Sequence, residues 1–534
     1  MVEPTQGRGL FASRSKVKPR GATAGIAAVV AAPTAQEMRR QLHDALRETR
    51  TVELRLDWLG NDVQRDRFIA WLSRQRFRKT TLIATCRRRE VGGLYRGNVR
   101  EQLLCLRRAV AAGCSWCDLE AESLRKFSPA AARESLAPAR LMVSLHDFRR
   151  TPPGLSRFVR QWGGTAAGSS GADAVKVAGL ARSIGDSVRL LKLIRRGGNV
   201  AVLPMGEIGL PGRVLALRFG STLTYAPVSQ VTAPGQVPLP EMKHLYRAHL
   251  LGPCTAVYGV IGDPIGHSLS PLMHNTAFQA RGVDAVYLPF LAPDLRDFLA
   301  SIAFLRLRGF SVTIPHKHAI LRHLHDCDPL AAEIGAVNTV VVRRDGRLWG
   351  ANTDYVGLLR ALERRMLLRG SRVLLFGAGG AGRAAAFALA RAGAAVAICE
   401  RDLGRVRELA RAVGGEALPR QALRFEAFDA IINATPVGMY PHSAVSPLEP
   451  RELNCRVVMD LVYRPLETRL LKLARSRGLA VVSGLEMFVT QGAAQWEMWM
   501  GQRAPEAVMR RVVLRVLRAE DARTSAAPSR RGSS

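Results

Sequence analysis

Gly171 to Ala178 reads GADAVKVA, and Lys176 stands inside this run of small and β-branched apolar residues. The run has the make-up of a buried strand. An ammonium there is costly unless it is paired or used. Working outward, runs of the same kind recur: GIAAVVAA, TVELRLDWL, TTLIATCR, SWCDLE and RLMVSLHDF before it, NVAVLPMG and LTYAPV after it. Helical stretches separate them. Eight strands alternating with helices over roughly 220 residues predict a (β/α)8 barrel, with chemistry at the carboxyl ends of the strands. Glu53, Arg55, Arg87, His146 and Lys176 all fall in or just after predicted strands.

The chain has 534 residues, too long for one ordinary domain, and 47% are apolar, enough for several cores. The fold class is α/β throughout. Residues 1–22 are basic and rich in Gly, Ser and Pro, and are expected to be disordered. The barrel is expected over 23–240 and a linker over 241–254. A second α/β unit over 255–360 opens with AVYGVIGDPIGHSLSP. A third, over 361–485, starts at GSRVLLF (Gly370–Phe376) and alternates strands and helices as a doubly wound Rossmann domain does. Helices over 486–518 are expected to pack back on the second unit. A tail over 519–534 is expected to be disordered.

Net charge is +34, from 78 Lys and Arg against 44 Asp and Glu. No helix-turn-helix, zinc finger or aromatic-basic repeat accompanies it, so the arginines read as solvated surface plus sites for anionic substrates, with no nucleic acid partner expected. No run of eighteen uncharged apolar residues occurs, and no membrane span is expected. Cys114 and Cys117 form a CxxC on a predicted strand. Residues three apart on a strand face opposite sides, so they read as structural, and no metal is expected.

An uncharged lysine can attack a ketone to give an imine, an electron sink that eases removal of a neighbouring proton. Histidine ordinarily titrates near neutrality, so His146 can take that proton and return it to a leaving hydroxyl. Arg87 and Arg213 offer forked donors for a carboxylate. The motifs ELRLD, TCR followed by GG, SLHDF, DAVKVA and APGQ occur in this order. Over about residues 24–240 the chain thereby resembles type I 3-dehydroquinate dehydratase. The resemblance implies that Lys176 forms the imine with the C3 ketone of 3-dehydroquinate. His146 removes the C2 proton and protonates the departing C1 hydroxyl. Glu53, Arg55, Arg87, Arg213, Thr232 and Gln236 hold the substrate. Val91 stands where the family often has Glu, with Glu90 one place earlier, and Thr232 stands for the usual Ser.

GAGGAG at Gly377–Gly382 follows a strand and opens a helix, as G-x-G-x-x-G does in dinucleotide sites. Glu400, about twenty residues on, suits a ribose 2′-hydroxyl and NAD, whereas Arg401 and Arg405 suit the 2′-phosphate of NADP. NADP is the expected cofactor, with NAD possible. GHSLSP, SVTIPHK, GAVNT, GANTD, NATPVGM and EMFVTQG resemble shikimate dehydrogenase over about residues 255–518. That resemblance implies Lys317 and Asp354 as the catalytic pair. Ser268 and Ser270 take the carboxylate of 3-dehydroshikimate, and Thr313, Asn338, Tyr463 and Gln491 surround its ring hydroxyls. Gly377, Gly379, Gly380, Ala381, Gly382, Arg401, Arg405, Thr435, Leu461 and Gly484 hold the cofactor. The family's Asn-Arg-Thr run is Glu400-Arg401-Asp402 here. Trp496 and Trp499, at helical spacing, are expected to pack rather than touch the cofactor.

The two resemblances describe consecutive steps, 3-dehydroquinate to 3-dehydroshikimate and then to shikimate with NADPH, as in the bifunctional enzymes of aromatic amino acid biosynthesis. The alternatives are a quinate/shikimate dehydrogenase that prefers NAD, and an inactive regulator that senses pathway metabolites. A bacterial chain of this kind is expected in the cytoplasm; it is expected in a plastid if the basic N-terminus is a transit peptide.

Overall fold

The computed structural model describes residues 25–125, 129–163, 172–194 and 199–526. The expected disordered stretch 1–22 lies outside the described residues, as do 527–534. The first eight strands are β1 (Gly25–Val30), β2 (Thr51–Arg55), β3 (Thr81–Thr85), β4 (Trp116–Glu120), β5 (Arg140–Asp147), β6 (Ala174–Leu180), β7 (Val200–Met205) and β8 (Leu223–Pro227). They pair in parallel in the order β7-β6-β5-β4-β3-β2-β1-β8. The β7/β8 seam is bridged at its foot, where Thr222 N–H donates to Val200 O at 3.0 Å and Val202 N–H to Ser221 Oγ at 3.2 Å. Alternation along each strand divides the side chains. Val52, Leu54, Val143, Val175, Val177 and Val202 face the helices. Ala27, Ala174, Ala178 and Ala201 point inward with Ile83, Met142 and Tyr225. The small inward residues leave room for long charged side chains in a barrel that would otherwise be filled by branched ones.

Residues 241–254 differ from the expected linker. They coil into two short helical turns, Glu241–Leu245 and Ala248–Leu250, with Met242, Tyr246 and Ala248 buried. Apolar residues at this spacing pin the segment, and Lys243 pairs with Glu48 at 2.9 Å. The next sheet holds β9 (Ala256–Gly262), β10 (Ala285–Leu291), β11 (Leu307–Val312), β12 (Asp326–Cys327), β13 (Thr339–Val342) and β14 (Leu348–Ala351), in the order β10-β9-β11-β13-β14-β12. One hydrophobic cluster runs from the barrel into this sheet without a break. Across the junction Phe219 stacks on Phe304 with centroids 5.0 Å apart, and the amides of Ile184 and Gly185 donate to the Asp297 carboxylate at 2.6 and 3.0 Å.

The third sheet is β15 (Arg372–Phe376), β16 (Ala395–Cys399), β17 (Glu416–Ala417), β18 (Ala430–Asn433), β19 (Val457–Asp460) and β20 (Ala480–Val482). All pairs are parallel and the order β17-β16-β15-β18-β19-β20 is the doubly wound one, reversing at β15. The helix Gly484–Met500 returns to pack on the helix Thr353–Glu363, and the helix Glu506–Ala526 packs on Ser270–Arg281. That last helix corrects the expected tail, since residues 519–526 are helical. Met509, Val513 and Leu517, four apart, bury one face of it. Beyond them Glu520 pairs with Arg464 at 3.3 Å and Asp521 accepts the Leu466 amide at 3.3 Å.

Candidate active sites

A cavity opens at the carboxyl ends of the barrel strands. Glu53, Arg55, Arg87, His146, Lys176, Arg213, Thr232 and Gln236 all line it, with Phe148, Met205 and Tyr225. Lys176 is 3% exposed. Its Nζ donates to Glu53 Oε1 at 2.9 Å and Asp118 Oδ2 at 2.8 Å, and lies 3.9 Å from the centroid of the Tyr225 ring. Glu53, expected to hold substrate, here holds the lysine and Thr85 Oγ1 (2.9 Å).

Asp118 is the residue that sequence reasoning misses. Its signal is the two-residue period of WCDLE, which turns Trp116, Asp118 and Glu120 to one side of β4. Asp118 Oδ1 also accepts from Ser144 Oγ at 2.6 Å and Arg87 Nη2 at 3.2 Å. Burial raises the pKa of this carboxyl, but Lys176 and Arg87 outweigh burial and hold it below the ordinary carboxylate range. Glu120 lies beyond, accepting from Gln102 Nε2 (2.6 Å), Ser123 Oγ (3.1 Å) and the Arg88 amide (3.2 Å), and so props the loop that carries Arg87. Burial, then the charges of Arg87 and Lys176, push the His146 imidazole well below its usual value, so it stands neutral. Its Nδ1 has no hydrogen-bond partner among the described residues. Glu90, the nearest acid to the family's usual position, is exposed and pairs with Arg88 at 2.6 Å.

The cations are not equivalent. Arg55 forks onto Asp57 at 2.9 and 2.7 Å. Arg213 is 1% exposed, its Nε has no partner among the described residues, and its Nη2 donates to Pro234 O at 3.4 Å. Burial alone pulls its pKa down to about 10. A buried guanidinium without a counter-charge is a standing site for a carboxylate. Gln236 Oε1 accepts the amides of Thr232 (2.7 Å) and Ala233 (3.2 Å), which shapes the loop over Arg213.

The second site lies between the second and third sheets. Lys317 follows β11, and Asp354 is in the first turn of the helix Thr353–Glu363. Lys317 Nζ donates to Asp354 Oδ2 at 2.6 Å, with 30% and 22% of the two side chains exposed. Asn352 caps that helix by accepting the Asp354 amide at 3.0 Å. Asn338, at the start of β13, accepts the Thr353 amide on Oδ1 at 2.7 Å. Ser268 Oγ accepts the Ser270 amide at 3.3 Å, where the helix Ser270–Arg281 begins. Thr313 follows β11 and lies against Gly262. Gln491 is buried beside Gly357, and Tyr463 stacks on Phe488 at 5.1 Å.

The glycine loop fits a dinucleotide. Gly377 has φ +116°, a conformation that L side chains rarely adopt. A Cβ on Gly382 would stand 2.1 Å from Gly377 O, so this glycine is required for helix and strand to meet. A Cβ on Gly379 would meet no protein atom, so the space above it is open, at the N-terminus of the helix Gly380–Arg391 where a pyrophosphate can accept amide hydrogens. Glu400 accepts the Ala378 amide of the glycine loop at 2.8 Å. Asp402 caps the next helix through the amides of Gly404 and Arg405. Arg401 and Arg405 are exposed beside them. Thr435 donates to Asn433 Oδ1 at 2.7 Å, and Leu461 N–H bonds Asn433 O. Asp460 holds this loop by accepting from Asn433 Nδ2 (2.9 Å) and Thr468 Oγ1 (2.6 Å). Burial raises its carboxyl to about 6. Gly484 sits where a Cβ would be 2.5 Å from Val462 O, so chain packing already demands glycine there. Trp496 and Trp499 pack in the core around the helix Ser270–Arg281. Cys114 and Cys117 are buried free thiols. Among the described residues no group of three or more His, Cys, Asp or Glu could hold a metal ion, and no helix is long and apolar enough to cross a membrane.

Comparison with known proteins finds three family matches: type I 3-dehydroquinase over residues 26–251, the shikimate dehydrogenase substrate binding domain over 260–340, and the shikimate 5′-dehydrogenase C-terminal domain over 484–514. The chloroplastic bifunctional 3-dehydroquinate dehydratase/shikimate dehydrogenase of Arabidopsis thaliana is 36% identical over 486 residues, covering 85% of this chain and 78% of the relative. The shikimate dehydrogenase (NADP(+)) of Moorella thermoacetica is 46% identical over 274 residues, 48% of this chain and 92% of that one. Among solved structures, shikimate 5-dehydrogenase of Thermus thermophilus in complex with NADP(H) and shikimate is 39% identical, covers 49% of this chain and 99% of its own, and has a TM-score of 0.45.

Proposed function

The chain belongs to the family of bifunctional 3-dehydroquinate dehydratase/shikimate dehydrogenases, and on that footing we propose that Lys176 and Lys317 are its two reaction centres. It dehydrates 3-dehydroquinate to 3-dehydroshikimate and reduces that to shikimate. The observation that carries the assignment is the desolvated Lys176 between Glu53 and Asp118, in one cavity with Arg213, which has no carboxylate partner among the described residues.

In the barrel the substrate carboxylate takes the place of the missing counter-ion of Arg213. A carboxylate at Lys176 takes up the ammonium proton, and the amine attacks the C3 ketone; loss of water leaves the imine. Glu53 and Asp118 then stabilise its protonated form, and the same cation draws electrons from C2. Neutral His146 removes the C2 proton, and the electron pair moves toward the iminium. The C1–O bond breaks as His146 returns its proton to the leaving hydroxyl, releasing water. Hydrolysis frees the product and Lys176.

At the second site we assign the glycine loop, Arg401, Arg405, Thr435 and Leu461 to NADP. The open space over Gly379 and the two exposed arginines support this choice. NADPH, when bound, supplies the hydride that reaches the ketone carbon. Lys317 donates a hydrogen bond to the oxygen that gains charge, and the Lys317–Asp354 pair carries the proton it needs. Ser268 and Ser270 hold the carboxylate; Thr313, Asn338, Tyr463 and Gln491 hold the ring.

The test is to give purified protein 3-dehydroquinate and NADPH while following enone absorbance and NADPH oxidation, with borohydride trapping in parallel. Turnover to shikimate and a covalent adduct at Lys176 are expected. Failure to turn over either intermediate would overturn the assignment.

A further inference from the structure

One turn meets three of the residues assigned to the second site. It runs from the end of the helix Pro329–Ile334 into Asn338. Val337 N–H donates to Lys317 O at 2.9 Å, and Asn338 N–H donates to Ala351 O at 3.1 Å. Ala336 O accepts from Asn352 Nδ2 at 3.0 Å, and Asn352 Oδ1 accepts the Asp354 amide at 3.0 Å. The turn thus carries Asn338, bonds the backbone of Lys317 and supports the cap that seats Asp354.

The Rossmann unit holds this turn from the other side. A helix leaves its last carbonyls without donors of its own. Here Ala331 O and Ala332 O accept the amide of Gly335, which takes φ +74°. The next two carbonyls are met by one side chain: Arg383 Nε donates to Ile334 O at 2.8 Å and Nη2 to Glu333 O at 3.3 Å. Arg383 directly follows Gly382 of the glycine loop, and its own amide donates to Gly379 O at 2.7 Å. Its guanidinium lies 4.9 Å from the centroid of the Phe387 ring. Phe387 packs against Leu330, Ile334, Ala336 and Ala384, a small apolar cluster shared by the two units. A planar guanidinium presents its donors in a fixed fork, so it sets the tilt of the turn as well as its distance.

We propose that Arg383 is a positioning residue for hydride transfer, fixing the glycine loop against the turn that carries Asn338 and bonds Lys317. The proposal rests on the cofactor and substrate roles given above to that loop, Lys317 and Asn338. The hydride donor and the ketone are held by different units. A shift between the units therefore lengthens the path of the hydride while each ligand keeps its own contacts.

Arg383→Met tests this, because it keeps an apolar stem beside Phe387 and loses both donors. Reduction of 3-dehydroshikimate is measured with NADPH and with NADPH deuterated at the transferred position. Rates are expressed per NADP-binding site found by titration, and dehydration in the same preparations reports on the barrel. The variant is expected to lower kcat by roughly 10–100-fold. Its Kd for NADP should stay within about twofold, and its isotope effect on kcat should be no smaller than that of the native chain, since hydride transfer is the slowed step. Unchanged kcat overturns the proposal. So does a Kd for NADP that rises in step with the loss, or a smaller isotope effect. Arg391→Met is the control, because Arg391 grips the same helix through the exposed Glu333 carboxylate at 2.8 Å. It should keep native kcat, and an equal loss there would assign the effect to helix packing and overturn the role of Arg383. Lys317→Ala and Gly379→Ala are run beside both. If neither alters reduction, the reading of the site falls; if both act as expected and Arg383→Met does not, the positioning role alone falls.

Discussion

The two lysines of this chain solve opposite problems. Lys176 is 3% exposed, sits inside one domain and meets two carboxylates and an aromatic face before any substrate arrives. Lys317 is ten times more exposed, pairs with a single carboxylate and stands between two sheets. Covalent capture of a ketone needs an amine whose charge can be taken up and returned within a dry cavity. Hydride transfer needs only a donor beside an oxygen, with the remaining wall supplied by a bound cofactor. The carboxylates show the same contrast. Asp118 and Asp460 are equally buried, yet Asp118 is held low by cations while Asp460, which meets only neutral donors, is pushed up to about 6.

The strongest test of this contrast is to exchange the losses. Lys176→Ala should lower dehydration by on the order of 10⁵-fold and abolish the borohydride adduct, with reduction unaffected. Lys317→Ala should lower reduction by roughly 10²–10⁴-fold and leave dehydration intact. Steady-state assays of both reactions on each variant check this. Loss of both activities from either change would mean the sites are not independent.

Removing a carboxylate should act with opposite pH signs at the two places. Asp118 has a folded pKa below its unfolded value, so its stabilisation is present above the usual carboxylate range and lost as pH falls through the lower folded value. Asp118→Asn should cost roughly 3–5 kcal/mol at neutral pH, because Arg87 and Lys176 lose a buried partner. Asp460 has a raised folded pKa, so its contribution is present below its ordinary value and is lost as pH rises through about 6. Asp460→Asn should remove that decline. Melting temperatures taken from about pH 2 to about pH 8 cover both windows, and parallel pH profiles in the two variants would break the comparison.

Two smaller effects sharpen the picture of the second site as one completed by its cofactor. Gly379→Ala should fold normally, since its Cβ meets no protein atom, yet raise KM for NADP by about tenfold or more through contact with the pyrophosphate. Arg401→Ala should lower the preference for NADP over NAD by about tenfold or less, as an exposed phosphate contact does. Kinetics with both cofactors decide each case. Normal NADP use by Gly379→Ala would move the cofactor elsewhere.

Much of this is legible in the sequence because the period of apolar residues and the glycine spacing are local properties. Alternation in SWCDLE and DAVKVA puts Asp118 and Lys176 on inward faces, although only the lysine stands out against its neighbours. The helical tail is not legible because its anchors, Arg464 and Leu466, lie more than fifty residues away in sequence. The docked segment 241–254 reads as a linker for a similar reason, since its partner Glu48 belongs to the first helix of the barrel.

Sequence alone determined the order of three α/β units, the two lysines and the dinucleotide loop, because strand period, β-branching and glycine spacing act within a few residues. Tertiary structure alone decided which charges meet. It brought Asp118 and Glu53 to one amine, left Arg213 without a carboxylate partner among the described residues and set Glu400 on the Ala378 amide. Those outcomes depend on registers and packing between strands far apart in the chain, where a shift of one residue would send each side chain to the opposite face.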